Sequence, residues 1–280
     1  MVQVDPTLVS EALAAFGCTE VRPLKPGAQK DVRLVNRHGE PLVLKVIAVP
    51  STHAEALRRA EREVELLAQL SSSHVVRVAD HLIELGQPVR GAAWLEEALD
   101  GEDLSALLTG SPWHPDEALK MSFDVADGLA AAHEKQVVHR DLSPNNVRRL
   151  GNGEYKVLDF GFARFTLRSG LTIAGQPGTP GHMSPEHLHG YSGGPTPASD
   201  VFMLGILLYQ ALTGRNPVPY LGDDYDYVKR LTAVQLEKVD TIVPDLSNGI
   251  VALVNRCLHP QPARRYRDGR AVANAVEALR

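Results

Sequence analysis

The residues of this chain best suited to chemistry lie close together. His139-Arg140-Asp141-Leu142-Ser143-Pro144-Asn145-Asn146 sets a carboxylate and an amide five residues apart, and thirteen residues after Asn146 comes Asp159-Phe160-Gly161. Asp141, Asn146 and Asp159 offer oxygen donors, the ligand type that a hard divalent cation prefers. The plain alternative, that the two aspartates cap turns, has to account for both motifs at once. Earlier in the chain Lys45 ends the apolar run Leu42-Val43-Leu44. Glu63 lies in a charged helical pattern, with Leu66, Leu67 and Leu70 at +3, +4 and +7 on its face. A carboxylate on the inward side of such a helix needs a cationic partner, and Lys45 is the candidate. Glu61 and Glu65 lie on the same helix, and a solvated helix face is the other reading of Glu63.

The two motifs, in this order and separated by a strand–turn–strand pattern, resemble the H-R-D-L-x-x-x-N and D-F-G of the eukaryotic-type (Hanks-type) serine/threonine protein kinases. The resemblance spans roughly residues 20–280. It implies an α+β, bilobal protein kinase fold with a small β-rich N-lobe and a larger helical C-lobe. It also implies transfer of the γ-phosphoryl of Mg-ATP to Ser or Thr hydroxyls of proteins, autophosphorylation included. That reaction needs an aligned hydroxyl, neutralised phosphate charge and a metal on the phosphates. Carried over residue by residue, the resemblance makes Asp141 the acceptor or orienter of the hydroxyl proton. Asn146 and Asp159 hold Mg2+, with Mn2+ as the other cation such ligands take. Lys45 matches the lysine of V-A-I-K and grips the α/β-phosphates, with Glu63 as its activating partner. Glu97-Ala98-Leu99-Asp100-Gly101 falls at the hinge between lobes, where backbone groups of Glu97 and Leu99 meet adenine. Asp103 falls where the ribose hydroxyls are held, and Val32 and Val43 roof the adenine. Gly178-Thr179-Pro180-Gly181-His182-Met183-Ser184-Pro185-Glu186 is similar to G-T-x-x-Y-M-A-P-E, with His for Tyr and Ser for Ala. By the same resemblance Thr179 bridges to the catalytic loop, Glu186 pairs with Arg265, and Asp200 braces the catalytic-loop backbone.

Several positions depart from the family pattern. The phosphate-covering loop, G-x-G-x-x-G-x-V in the family, reads Lys25-Pro26-Gly27-Ala28-Gln29-Lys30-Asp31-Val32, and only Gly27 survives. Glycines let a backbone approach phosphate closely, so reduced nucleotide affinity is expected, with Lys30 either supplying charge or standing in solvent. Ser143 occupies a position where a phosphate-binding Lys is usual. Glu96 falls at the gatekeeper and Arg148 beneath the adenine ring; the two either compensate each other or, with Arg148 turned outward, stand apart. Arg140 precedes the catalytic Asp, as in kinases switched by loop phosphorylation. Thr172, Ser169 and Thr166 are the candidate phosphosites, and an unphosphorylated, ordered loop is the alternative. These departures define a rival reading, a pseudokinase that binds nucleotide or a partner as a scaffold. An aminoglycoside-type phosphotransferase is a third, and that type lacks the segment seen here at Gly178–Glu186. His182, His187 and His189 have no obvious Cys or carboxylate to complete a metal set, which favours a structural reading of all three.

These residues need elements to hold them. Pro6 to Phe16 reads as a helix with Pro at its start and Gly17 as its stop. Residues 19–49 read as two β-rich runs joined at His38-Gly39-Glu40. A helix follows over about Ala54 to Leu70, then short strands at Val75–Val78, Leu82–Leu85 and Ala92–Leu95. Pro115 to Glu134 is helical by its spacing of Ala118, Met121, Val125, Leu129 and Ala132, and residues 137–160 return to short strands and tight turns. Val201 to Leu212, apolar all round, predicts a helix buried in a large core. Further helices are expected near 223–236, 247–258 and 268–279. The resulting division is an N-terminal helical extension over 1–19, a candidate dimer or regulatory contact, then an N-lobe over 20–98 and a C-lobe over 99–280.

Composition sets the outer bounds. The 280 residues, 44% of them apolar, allow one large domain or two lobes and argue against disorder. A net charge of −5 without a basic stretch makes nucleic acid or an anionic membrane an unexpected partner. Two cysteines cannot frame a disulfide scaffold, which points to a reducing compartment. No run approaches the roughly 18 apolar residues of a membrane span, and Met1-Val2-Gln3-Val4-Asp5 lacks the basic start of a signal peptide. The expectation is a cytoplasmic protein with ATP and a protein substrate as partners, its oligomeric state left open. The Ala/Arg-rich style and compact length suggest a bacterial member.

Overall fold

A computed structural model describes residues 4–24, 30–49, 54–160, 179–188, 194–233 and 236–280, apart from the side chains of 54–56, 59, 60, 62 and 63. The chain divides into two compact units. Of the described residues, those up to Leu70 and Val76–Leu99 make one unit, and Ser71–Val75 with those from Asp100 onward make the other.

The first unit opens with helix α1 (Pro6–Phe16). The Asp5 carboxylate accepts from the Thr7 N–H, Pro6 sits in the first turn, and Gly17 closes the helix at φ 61°. Only a residue tolerant of the left-handed region suits that stop. Strands β1 (Thr19–Pro23), β2 (Lys30–Arg37), β3 (Glu40–Ala48), β4 (Val78–Leu85) and β5 (Gly91–Glu97) follow, with helix α2 (Ala54–Ala68) between β3 and β4. They form one antiparallel sheet in the order β1-β2-β3-β5-β4. Strand pleating sends alternate side chains to opposite faces. Val35, Leu42, Leu44, Val46, Ala93 and Leu95 line one face and are buried under Leu8, Val9, Ala12 and Phe16 of α1. Polar ties fasten the helix ends: Asp5 pairs with Arg90 at 2.9 Å, and the Glu11 carboxylate accepts from the Gly86 N–H at 3.0 Å. The opposite face carries Val32, Val43, Lys45, Trp94 and Glu96, placed there by the pairings Val32↔Lys45, Val43↔Glu96 and Lys45↔Trp94.

Two sequence expectations change here. Residues 19–49 hold three strands rather than two, because β1 is exposed along its whole length and carries no apolar alternation. Val75–Val78 is not a strand: Val75 makes an isolated bridge to Val157 within the second unit, and Val78 begins β4. Register shifts at Val78/Asp80 and Asp80/Ile83 disturb the alternation that would have marked β4 as continuous.

The second unit contains β6 (Glu102–Asp103), α3 (Leu104–Leu107), α4 (Pro115–Glu134), β7 (Val147–Arg149), β8 (Tyr155–Val157), α5 (Pro197–Thr213), α6 (Asp224–Ala233), α7 (Val239–Ile242), α8 (Asn248–Cys257) and α9 (Gly269–Glu277). Strands β6, β7 and β8 form a small antiparallel sheet beside α4. Helix α5 is the central rod. It starts in a reciprocal Thr196/Ser199 cap, ends at Gly214 with φ 71°, and is buried on all sides between Ala198 and Leu208. Gly205 lets it approach α8, since a Cβ there would stand 2.8 Å from the Cys257 Cβ. Among the described residues no helix is long and apolar enough to cross a membrane.

Burial of α1 on the sheet gives a direct test. Leu8→Ala should lower stability by about 2–5 kcal/mol, read as a reduced urea midpoint. An unchanged midpoint would show that α1 does not contribute to the core.

Candidate active site

In the second unit, α5 holds the loop that carries Asp141. Asp200, in the first turn of α5, is fully buried. Its Oδ2 accepts from the His139 N–H at 2.7 Å and its Oδ1 from the Arg140 N–H at 2.9 Å. His133 Nε2, 2.8 Å from Oδ2, supplies a third donor, since its Nδ1 already accepts from the Gly269 N–H. Burial alone would push the Asp200 carboxyl upward. The hydrogen bond from His133, with His139 and the Arg140 N–H, instead holds it below the ordinary carboxylate value. These bonds also hold Arg140 at φ 67°, a conformation that costs a non-glycine residue about 1–3 kcal/mol and persists only where the surroundings enforce it.

From that brace the loop runs past Asp141. His139 donates through Nε2 to the Leu158 carbonyl at 2.7 Å, packs at a 54° tilt against the Phe160 ring at 4.8 Å between centroids, and accepts at Nδ1 from the Asp141 N–H. The Asn146 Nδ2 donates to the Asp141 carbonyl at 2.7 Å and lies 3.5 Å from Asp141 Oδ2. The Leu158 N–H returns to the Asn146 carbonyl at 2.9 Å, which fastens the residue before Asp159 to Asn146. Asp159 itself sits at φ 58°. Asp141 Oδ1 accepts from both the N–H and the hydroxyl of Thr179, at 3.0 and 2.8 Å. The carboxylate is thus pinned through one oxygen.

The segment after Thr179 is anchored as firmly. Arg265, 3% exposed, directs all five guanidinium donors to protein acceptors. Two form a fork with Glu186 at 2.6 and 3.0 Å, and the rest go to the carbonyls of His259, Ala198 and Pro260. Such planar bidentate recognition is particular to arginine. His187 donates from Nε2 to the Arg140 carbonyl and accepts at Nδ1 from Ser184, so both its ring nitrogens serve structure.

In the first unit, Lys45 and Glu96 form a buried ion pair, Nζ to Oε2 at 2.5 Å. The Trp94 indole N–H donates to the other oxygen of Glu96 at 2.9 Å.

Relatives fit this geometry. The "Serine/threonine-protein kinases drp72" of Corynebacterium efficiens is 33% identical over 238 residues, covering 82% of this chain and 44% of that protein. The "Serine/threonine-protein kinase pkn2" of Myxococcus xanthus is 32% identical over 272 residues, covering 92% of this chain and 32% of that protein. This chain therefore spans less than half the length of either. A crystal structure of the Mycobacterium tuberculosis PknI kinase domain superimposes with a TM-score of 0.71 at 25% identity, over 94% of this chain and 95% of that one. The model of the protein kinase domain family matches residues 26–276. The chain belongs to the protein kinase domain family. It is a Hanks-type serine/threonine kinase domain of the bacterial kind.

Several expected sites of the kinase domain can now be placed. Asp141, Asn146 and Asp159 lie on one bonded loop system, and Thr179, Glu186 and Asp200 make the contacts expected of them. Lys45, Val32 and Val43 share a sheet face. Glu97 exchanges hydrogen bonds with Arg77 and Leu99 is half-buried. Asp103 pairs with Arg148 at 3.2 Å. Gly27, the Glu63 side chain, and Thr166, Ser169, Thr172 and His189 lie outside the described residues.

Of the two readings of Glu96 and Arg148, the partners favour the one in which they stand apart. Glu96 is taken by Lys45 and Trp94, whereas Arg148 reaches the carbonyls of Asp100 and Gly101 and the carboxylate of Asp103. Each charge finds partners inside its own unit. The Lys45–Glu96 bond is what sequence reasoning missed, although strand alternation already places both side chains on one face. Ser143 is buried.

Two predictions follow from the anchored segment. Glu186→Ala leaves the buried Arg265 guanidinium without its carboxylate and should cost about 3–5 kcal/mol, measured by chemical unfolding. His182 has both ring nitrogens shut off from solvent and no well-formed hydrogen bond among the described residues, and burial holds its imidazole below the ordinary value, outweighing the nearby Gln210 side chain, the Pro180 backbone and the Asp141 charge. The unfolded chain therefore takes up more protons near pH ~6.5, and stability falls as pH drops through that value. His182→Phe should lose less stability than wild type between about pH 7.5 and about pH 5.5. An equal loss would remove His182 as the cause.

Proposed function

We propose that this domain transfers the γ-phosphoryl of ATP to serine or threonine hydroxyls of proteins, itself included. The observation that carries the proposal is the Asp141 carboxylate, fixed at Oδ1 by Thr179 on a loop braced by Asp200. That arrangement leaves Oδ2, met only by a long 3.5 Å contact from Asn146 Nδ2, as the oxygen to orient and accept the proton of an incoming hydroxyl. As the substrate oxygen bonds to the γ-phosphorus, the bond from phosphorus to its bridging oxygen breaks and ADP departs. Positioning and charge stabilisation account for nearly all of such catalysis, which suits a loop held by so many bonds.

The family uses ATP with a divalent metal, and the finer assignment is Mg2+. Asn146 commits its N–H to the Asp141 carbonyl, so its amide oxygen is the group available to a cation, and Asp159 adds a carboxylate. Two hard oxygen ligands fit Mg2+, which would neutralise phosphate charge there. In the first unit, Lys45 grips the α/β-phosphates while Val32 and Val43 cover adenine. Backbone groups of Glu97 and Leu99 bind the adenine edge, Asp103 holds the ribose, and Gly27 covers the phosphates with Glu63 supporting Lys45. The first unit, with α1, acts as the N-lobe and the second as the C-lobe, joined through a hinge at 97–101. We place the domain in the cytoplasm, with ATP and a protein substrate as its partners. Nothing in the described site favours a scaffold without transfer.

The test is labelling of the protein and of a generic protein substrate by γ-labelled ATP with Mg2+. Wild type should label both. Asp141→Asn should lower kcat by about 10²–10⁴-fold, the usual worth of a positioned proton acceptor, and Asp159→Asn should abolish labelling. A folded wild type that labels nothing would support the scaffold reading instead.

A further inference from the structure

The buried Lys45–Glu96 pair poses a question that the kinase reading does not answer. A glutamate on the interior face of a sheet is costly unless its charge is met, and this one is met twice, by the Lys45 ammonium at 2.5 Å and the Trp94 indole at 2.9 Å. Each carboxylate oxygen has its own donor, so the group is fixed against rotation as well as translation. All three side chains are deeply buried. Their arrangement follows from register alone. Lys45 lies opposite Trp94, and Val43 lies opposite Glu96. Pleating then puts Lys45, Trp94 and Glu96 on one face, with Glu96 one two-residue step along β5 from Trp94.

We propose that Glu96 is the positioning carboxylate of Lys45, so that the sheet itself sets where the phosphate-gripping ammonium stands. The inference rests on the kinase reading of Lys45. Strands β3 and β5 are neighbours inside a five-stranded ladder, and their spacing is set by backbone hydrogen bonds. A carboxylate borne on a packed helix moves with that helix; one borne on the adjacent strand does not. Lysine has three N–H donors, and directing one onto a fixed Glu96 oxygen orients the others. Glu96 thereby acts on the nucleotide through Lys45, without touching it. The departure at the gatekeeper position gains a role: the charge that looked out of place is the counter-ion of the phosphate-binding lysine.

The experiment is steady-state phosphotransfer with varied ATP, on wild type, Glu96→Gln, Glu96→Asp and Glu96→Leu, each with its melting temperature. Glu96→Gln keeps the shape and can still accept from Trp94 but loses the charge. It should lower kcat for transfer by about tenfold, equivalent to ~1.4 kcal/mol of transition-state stabilisation, while the KM for the protein substrate stays near wild type; Glu96→Gln and Glu96→Leu should both melt lower, since each leaves the buried Lys45 ammonium without this carboxylate. Glu96→Asp, which restores the charge on a shorter stem, should recover part of the loss. Activity of Glu96→Gln and Glu96→Leu equal to wild type would overturn the proposal. So would a loss that tracks the melting temperature and is not relieved by Asp, because that is the signature of a packing role. Wild type without any transfer would instead strike the kinase reading, before Glu96 is tested.

Discussion

Asp200 is the point on which the second unit's chemistry depends. Its carboxylate is fully buried at the head of the most buried helix and gathers donors from two places: the catalytic-loop backbone at His139 and Arg140, and His133 near the end of α4. Such a group is either fully satisfied or severely destabilising. Here the satisfied state forces Arg140 into a left-handed backbone, and that turn presents Asp141. Order passes outward from there. The His139 ring carries it to Leu158 beside Asp159, Asn146 closes the loop on itself, and Thr179 and His187 tie the following segment to Asp141 and Arg140.

The first unit uses the same device in another setting. Glu96 on β5 does for Lys45 what Asp200 on α5 does for the loop: a buried carboxylate on a rigid element sets the place of a group needed elsewhere. Glu186 and Arg265 form a third such pair. In all three, every charge is met by geometry that leaves little freedom.

Much of this was legible in the sequence, for identifiable reasons. Helices with a proline in the first turn and a clear apolar spacing, Pro6–Phe16 and Pro115–Glu134, coincide with their sequence readings. Helix α5 starts four residues before its apolar run, because its first turn is a polar Thr196/Ser199 cap. Strand β1 was invisible, since none of its residues is buried. The loop residues 139–146 and Asp159 stood out because two motifs of matching residue types follow one another in order at a short spacing. The Lys45–Glu96 pair spans 51 residues and exists only through strand register, and Arg148 answers to main-chain carbonyls at Asp100 and Gly101 that no residue type announces.

Helix α1 has a consequence for where the domain begins. The family match starts at residue 26, whereas the apolar cluster beneath α1 draws on Val4, Leu8, Val9, Ala12, Phe16 and Cys18. A domain trimmed to the shared stretch would lose half of that layer and one edge strand. It would expose Leu42, Leu44, Val46 and Leu95 as a contiguous oily patch, the kind of surface that drives self-association. The boundary set by folding thus lies upstream of the one at which the family model begins.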